Sequence, residues 1–193
     1  MRSFKGREGF TLIELVVVII VLGILAVIAL PKFIDFRTDA DISVLKGMQG
    51  SLKSARDLVA AQIALRPENL NNAQSRFTLE DGQNIRVRAH YPDGRWNNTF
   101  NHLVDFDSVT YVTSNQCTES NSDTAWCARN RGLGWFVQRG YTAAIVGRGF
   151  VIFPRGNNLN TDRCYLYYFT PNDSNVTEMG VLPSVELDLT GCG

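Results

Sequence analysis

The stretch GREGFTLIELVVVIIVLGILAVIALPKF, Gly6 to Phe33, decides how this chain is read. Leu15 to Leu30 carries no polar side chain, and from Gly9 to Pro31 the only charge is Glu14. As a helix rising about 1.5 Å per residue, Phe10 to Leu30 extends roughly 31 Å, close to the hydrocarbon thickness of a bilayer. A carboxylate near the start of such a run demands a partner, because an unpaired one at mid-membrane costs about 2.5–3.5 kcal/mol on insertion scales.

The flanks set orientation and processing. Arg2, Lys5 and Arg7 against Glu8 make the first nine residues basic, which keeps them cytoplasmic and sends the remainder outward. An ordinary secretory signal has a shorter apolar core and a small-x-small cleavage site; here LPKFIDF follows the core directly. The full chain of 193 residues allows one folded body plus an appendage. Its 19 Lys and Arg balance 19 Asp and Glu, so no global charge calls for nucleic acid.

Gly9, Phe10, Thr11, Leu12, Ile13 and Glu14 match a GFTLIE pattern after a short basic leader, and so resemble the class III leader of type IV prepilins. The resemblance implies a leader of residues 1–9, cleavage after Gly9 on the cytoplasmic side and N-methylation of Phe10. It also implies retention of residues 10–30 as a transmembrane and filament-core helix. The partners implied are other pilin subunits in a helical homopolymer, the prepilin peptidase and the pilus assembly platform. The protein would sit in the inner membrane with its N-terminus cytoplasmic before assembly, and in an extracellular pilus afterwards. Cleavage would create a cationic amine one helical turn from Glu14, and a helix N-terminus and an ammonium both favour a negative side chain. In the family, the amine is thought to come from a neighbouring subunit, which makes Glu14 the assembly residue. The alternative is a carboxylate at headgroup depth.

Pro31 supplies no N–H to the carbonyl of Val27, so a helix break or kink is expected there, with Gly23 weakening the turns before it. The two resemble the family's Gly and Pro pair, between which the helix loosens during packing; a plain proline kink is the other reading. Beyond it, Phe33, Phe36, Ala40, Val44, Met48, Leu52, Ala55, Val59 and Ile63 recur at helical spacing. They predict an amphipathic continuation over 31–66, ending near Arg66-Pro67. Phe33 and Phe36 are candidates for contact with neighbouring subunits.

Residues 67–193 read as a β-rich head. Phe77 to Leu79 and Ile85 to Tyr91 flank Asp81-Gly82, and Pro92-Asp93-Gly94 marks a turn. Further strands are expected at Val109 to Val112, Trp135 to Gln138, Phe150 to Phe153, Cys164 to Phe169 and Val185 to Leu189, with a short helical turn within 101–106. An antiparallel sheet with one apolar face needs a cover, and the long helix is the element available, so the fold class is α+β. Cys117, Cys127, Cys164 and Cys192 all lie in this outward half, where disulfides are favoured over metal. Of three connectivities, Cys117 with Cys127 and Cys164 with Cys192 close local loops; zinc lacks CxxC or paired-histidine spacing.

PKFIDF, TDADIS, LKGMQGSLKSA, LVAAQIAL and the closing YYFTP and VELDLTGC resemble the mannose-sensitive haemagglutinin branch of type IV pilins. Asn115 to Gly140 looks like an insertion in that pattern and leaves open whether this is a major or a minor subunit. His90 and His102 are isolated, no cofactor-binding pattern is complete, and no catalytic constellation is present. Gly132-Leu133-Gly134 and Gly147-Arg148-Gly149 lack the full phosphate-loop patterns and read as turns. Asp173 and Glu178 have no calcium-ligand spacing. Arg129, Arg131, Arg139, Arg148 and Arg155 near Trp135, Phe136 and Tyr141 suit nucleic acid or acidic glycans, or else a solvated loop pairing with local acids; nucleic acid is disfavoured. The expected function is a structural pilus subunit serving adhesion, not an enzyme. The alternatives are a type II secretion pseudopilin and a membrane-tethered periplasmic binding protein or enzyme.

Overall fold

The computed structural model describes residues 10–192, with the side chains of all but 28–35 and 37. It divides into one unit ending at Ala40 and a second running Asp41–Cys192. Helix α1, Leu12–Leu65, continues through Gly23 and Pro31. A single proline removes one backbone donor, about a 3 kcal/mol penalty, while the residues around it keep theirs.

In the first unit, every large apolar side chain from Phe10 to Val27 is exposed, from 43% at Val16 to 90% at Phe10. Among the described residues no helix is long and apolar enough to cross a membrane. The side chains of 28–30, which close the expected span, and those of Pro31 and Phe33 lie outside the described residues.

In the second unit, α1 buries Leu45, Met48, Leu52, Ala55, Val59 and Ile63 at spacings of three and four, the face that the amphipathic pattern predicts. Leu45, not Val44, begins the stripe: Val44 lies about 100° around the helix and is 41% exposed. Gln49 Nε2 donates to the carbonyl of Val185 at 2.9 Å, and Arg56 Nη1 to that of Pro183 at 2.9 Å. The helix is thus bonded to the last strand as well as packed.

Strands β1 (Leu70–Asn71), β2 (Arg76–Thr78), β3 (Asn84–Arg88) and β4 (Tyr91–Pro92) form an antiparallel sheet in that order. The single strand expected from Ile85 to Tyr91 splits, because Ala89 and His90 take left-handed φ values of 43° and 69° and turn the chain between β3 and β4. Phe77, Ile85 and Val87 pack on Val59 and Ile63.

The larger sheet runs β5 (Val109–Tyr111), β6 (Trp126–Gly132), β7 (Gly147–Pro154), β8 (Tyr165–Pro171) and β9 (Ser184–Asp188). All its pairs are antiparallel except β5 with β6, which are parallel, so the sheet is mixed. The chain between β5 and β6 crosses over through the Cys117 loop, which lets the second strand return in the same direction as the first. The strand expected at Trp135 to Gln138 is instead helix α2, Leu133–Val137. Helix α3, Asp173–Met179, capped by the Asn172 side chain and closed by Gly180 at φ 66°, joins β8 to β9.

The core of this sheet has two sides. Phe150, Ile152, Leu166, Tyr168 and Val185 pack with Leu45, Met48 and Leu52 of α1. On the opposite face Val151, Phe153 and Tyr165 pack with Val112, Leu159 and the Cys117–Cys127 pair. β7 is therefore buried on alternating residues of both faces, which accounts for its unbroken apolar run FVIF. At Gly149 a Cβ would lie 1.9 Å from the Tyr168 carbonyl oxygen and 2.4 Å from the Phe136 ring, so only glycine permits that approach.

Candidate functional site

The N-terminal end of α1 is built by Thr11 and Glu14. Thr11 precedes the helix, and its hydroxyl oxygen accepts the backbone N–H of Glu14 at 3.3 Å. Glu14 Oε2 in turn accepts the backbone N–H of Thr11 at 3.4 Å and its hydroxyl at 3.5 Å. This reciprocal arrangement is a capping box, and it holds the carboxylate at the positive end of the helix dipole. Phe10, directly before it, is exposed, whereas Gly9 lies outside the described residues. Gly23 faces open space, with nothing within 4 Å of the position a Cβ would take. Phe36 is 66% exposed.

In the head, Cys117 bonds Cys127 and Cys164 bonds Cys192. The second bridge ties the residue before β8 to the segment after β9, where Gly191 N–H also donates to the Arg163 carbonyl at 2.9 Å. Arg163 Nε meets Asp188 Oδ2 at 2.8 Å. Burial pushes the Asp188 carboxyl up, but hydrogen bonds from Thr190, Arg163 and Tyr165 outweigh it and leave the group below its ordinary range.

The arginines singled out from the sequence separate into two groups. Arg129 and Arg131, on one face of β6, both donate to Asn115 Oδ1. Arg139 lies 3.5 Å over the Trp135 ring and donates to Tyr165 Oη at 2.8 Å, to the Trp135 carbonyl at 3.1 Å and to that of Leu159 at 3.3 Å. Among the described residues none of these three has a carboxylate at ion-pair distance, so the expected pairing with local acids is not made. Burial, reinforced by Arg129 and Arg139, pushes Arg131 down to about 10, and its Nε is buried without a hydrogen-bond acceptor. Burial also lowers Arg129. The neighbouring aromatics are already engaged: Phe136 is fully buried, and Tyr141 bonds Ser184 at 2.6 Å.

Arg148 belongs with a group that sequence reasoning missed. Asp93 is 1% exposed and has Arg88 Nε at 3.1 Å, Arg148 Nε at 3.7 Å and Arg95 Nε at 3.8 Å. The alternating arginines of RVRAHYPDGR were the available signal, but Pro92-Asp93-Gly94 reads only as a turn. Arg95, Asn130, Arg131 and Arg148 line one open cleft of about 350 Å³, where β6 ends and β7 begins. Gly147-Arg148-Gly149 is accordingly strand, not turn, and Gly132-Leu133-Gly134 is the junction of β6 with α2. Arg155 is exposed beyond the end of β7. His90 sits in the turn before β4 and His102 in a single 3-10 turn, Phe100–His102. Asp173 accepts the Ala89 N–H. Among the described residues no group of three His, Cys, Asp or Glu side chains is placed to hold a metal.

Comparison with known proteins matches residues 4–30 to the prokaryotic N-terminal methylation motif. The type IV narrow pilus major component PilA5 of Thermus thermophilus is 31% identical over 83 residues, covering 38% of this chain and 72% of that protein. Fimbrial protein EcpB of Eikenella corrodens is 46% identical over 55 residues, 28% of this chain and 35% of its own. The type II secretion system core protein G of Pseudomonas aeruginosa is 38% identical over 54 residues, 28% of this chain and 38% of its own. With the last two relatives the chain thus shares little more than a third of their length. No solved structure matches the chain.

Proposed function

Since the chain belongs to the type IV pilin family, we propose that it is a structural pilus subunit, made as a precursor, cut after Gly9, methylated at Phe10 and polymerised through its apolar helix. The observation that carries this reading is the uncovered apolar surface from Phe10 to Val27, broken by one capped carboxylate. At about 25 cal/mol per Å² of apolar area removed from water, such a surface is stable only in lipid or against other helices. Residues 10–30 serve first as the inner-membrane anchor and then as the filament core, 31–66 as their amphipathic continuation, and 67–193 as the outward head.

Removal of residues 1–9 frees the Phe10 amine. The Glu14 carboxylate then leaves its own capping box for the ammonium of a neighbouring subunit, a stronger donor in a dry filament interior than a backbone N–H. Gly23 and Pro31 give the helix the two weakest points at which to loosen as it packs. The leader peptidase and the assembly platform are the partners of these steps, and surface adhesion is the use of the finished filament. Within the family, PKFIDF and VELDLTGC support the mannose-sensitive haemagglutinin branch.

Mass spectrometry of sheared filaments tests the reading: the subunit is expected to begin at a methylated Phe10. A subunit beginning at Met1, or recovered only as a monomer from membranes, would falsify it. Glu14→Ala is expected to be processed and to lower filament yield at least tenfold. The likeness to the type II secretion core protein supports a second reading, a pseudopilin. Deleting the gene separates the two, since a pseudopilin's loss blocks protein secretion and leaves surface filaments intact.

A further inference from the structure

The cleft at the junction of β6 and β7 is cationic beyond what the chain itself neutralises. Asp93 is the one acid within ion-pair distance of Arg95 and Arg148 among the described residues, and Arg88 stands closest to it. At 3.7 and 3.8 Å, Arg148 and Arg95 make ion pairs but not hydrogen bonds through those nitrogens. Arg131, paired with Gly149 in the ladder, turns its guanidinium to the face of the sheet opposite Arg148, where it donates to Asn115. A carboxylate or phosphate oxygen arriving from outside would gain charge-assisted hydrogen bonds from two guanidiniums at once, those of Arg95 and Arg148.

We propose that this cleft binds an oxyanion-bearing group about the size of one sugar ring, an acidic monosaccharide unit carrying a carboxylate or a phosphate. Its volume of about 350 Å³ is at the lower end of small-molecule sites, enough for one ring and too small for an oligomer to be enclosed. The arginine forks match planar oxyanions in two-point contact. The glycines fit as well: a Cβ at Gly94 would lie 2.3 Å from the Arg148 carbonyl oxygen, so its absence draws the Arg95 loop against β7 and shapes the floor. Asn130 adds an amide, although its Nδ2 already donates to Asn97 at 2.7 Å and its Oδ1 accepts the Trp96 N–H at 2.8 Å.

Single-stranded nucleic acid is the less fitting ligand. It needs free aromatic faces, and here Trp135 is covered by Arg139, Phe136 is buried and Tyr141 packs on Phe169 at 4.7 Å between ring centres. The inference supplies a ligand class for the adhesive use proposed above, but it concerns the single chain and does not require a filament.

The test is titration of the full-length protein in detergent, followed by tryptophan fluorescence and calorimetry at constant ionic strength. The ligands are sodium glucuronate, glucose 6-phosphate, inorganic phosphate and neutral glucose. Saturable binding of glucuronate or glucose 6-phosphate, at least about tenfold tighter than glucose, is expected. The carboxylated and phosphorylated sugars distinguish the two sources of the oxyanion, and inorganic phosphate alone reports the charge without the ring. Arg95→Gln is expected to weaken binding about tenfold or more. Gly132→Asp is the second variant: position 132 has open space around it and extended backbone, so the change leaves the fold intact while placing an acid at the cleft mouth. Arg155→Ala, outside the cleft, should bind as wild type. Equal, weak binding of all four ligands, or undiminished binding in a folded Gly132→Asp protein, overturns the site. Neither result touches the filament reading, which stands or falls on the processed N-terminus.

Discussion

The hydroxyl of Tyr168 donates to the carbonyl of Pro92 at 2.8 Å, linking the middle of β8 to the end of β4. Thr170 donates to the same oxygen at 2.8 Å, so the two sheets of the head share one acceptor.

The burial of that hydroxyl makes the protein sensitive to alkali. Burial pushes the Tyr168 hydroxyl far above its ordinary value, and it does the same for Tyr167 and, less strongly, Tyr165. A group whose folded pKa is raised contributes stability that is whole below its unfolded value, about 10, and is lost as pH rises beyond it. Tyrosinate absorbance at 295 nm is expected to appear for these three only as the fold is lost. Tyr168→Phe should cost about 1 kcal/mol at neutral pH and move the alkaline midpoint upward.

Arg139 is a structural cation. It stacks on Trp135 and donates to three oxygens, so Arg139→Ala is expected to lower stability by about 2 kcal/mol in urea titration. Arg139→Lys should recover less than half of that, because one ammonium cannot both lie flat on the ring and fork to those acceptors.

The turn between β3 and β4 is made by residues poorly suited to it. Two successive left-handed residues call for Asn-Gly, whereas this turn has Ala89-His90. Ala89→Asn with His90→Gly is expected to raise stability by about 1–2 kcal/mol, read as an upward shift of the melting temperature. No rise would mean that the Asp173 bond to Ala89 N–H already offsets the strain.

The two disulfides should contribute unequally. With sequence separations of 28 and 10, the chain-entropy model gives about 3.6 kcal/mol for Cys164–Cys192 and about 2.7 kcal/mol for Cys117–Cys127. Replacing each pair with Ala and comparing urea midpoints checks the order; a larger loss for the Cys117 pair would contradict it.

Much of the fold was legible because α1 announces itself through spacing. Met48, Leu52, Ala55, Val59 and Ile63 recur every three or four residues, and the aromatic runs around Phe150 and Tyr168 can only be interior strands. β6 was not legible. Its second half, Ala-Arg-Asn-Arg-Gly, is polar on both faces, and the Asn115 loop, the Trp96 loop and Tyr111, distant in sequence, satisfy those side chains. Trp135 to Gln138 deceives in the other direction, since its aromatics pack as one helical turn against Tyr165 and Tyr167. In the candidate site, Glu14 stands out as the lone charge in an apolar run. Its exchange with Thr11 depends on helix-end geometry, and the Asp93 cluster depends on contacts between separate strands.

The placement of the disulfides sets where the head yields under load. Tension entering through residues 41–65 reaches β9 by way of Gln49 and Arg56, and β9 is clasped covalently to β8 through Cys192 and Cys164. Neither bridge crosses the sheet of β1 to β4, which grips the helix chiefly through Val59 and Ile63. A pulled subunit therefore sheds its small sheet first and keeps the large one as an unbroken anchor.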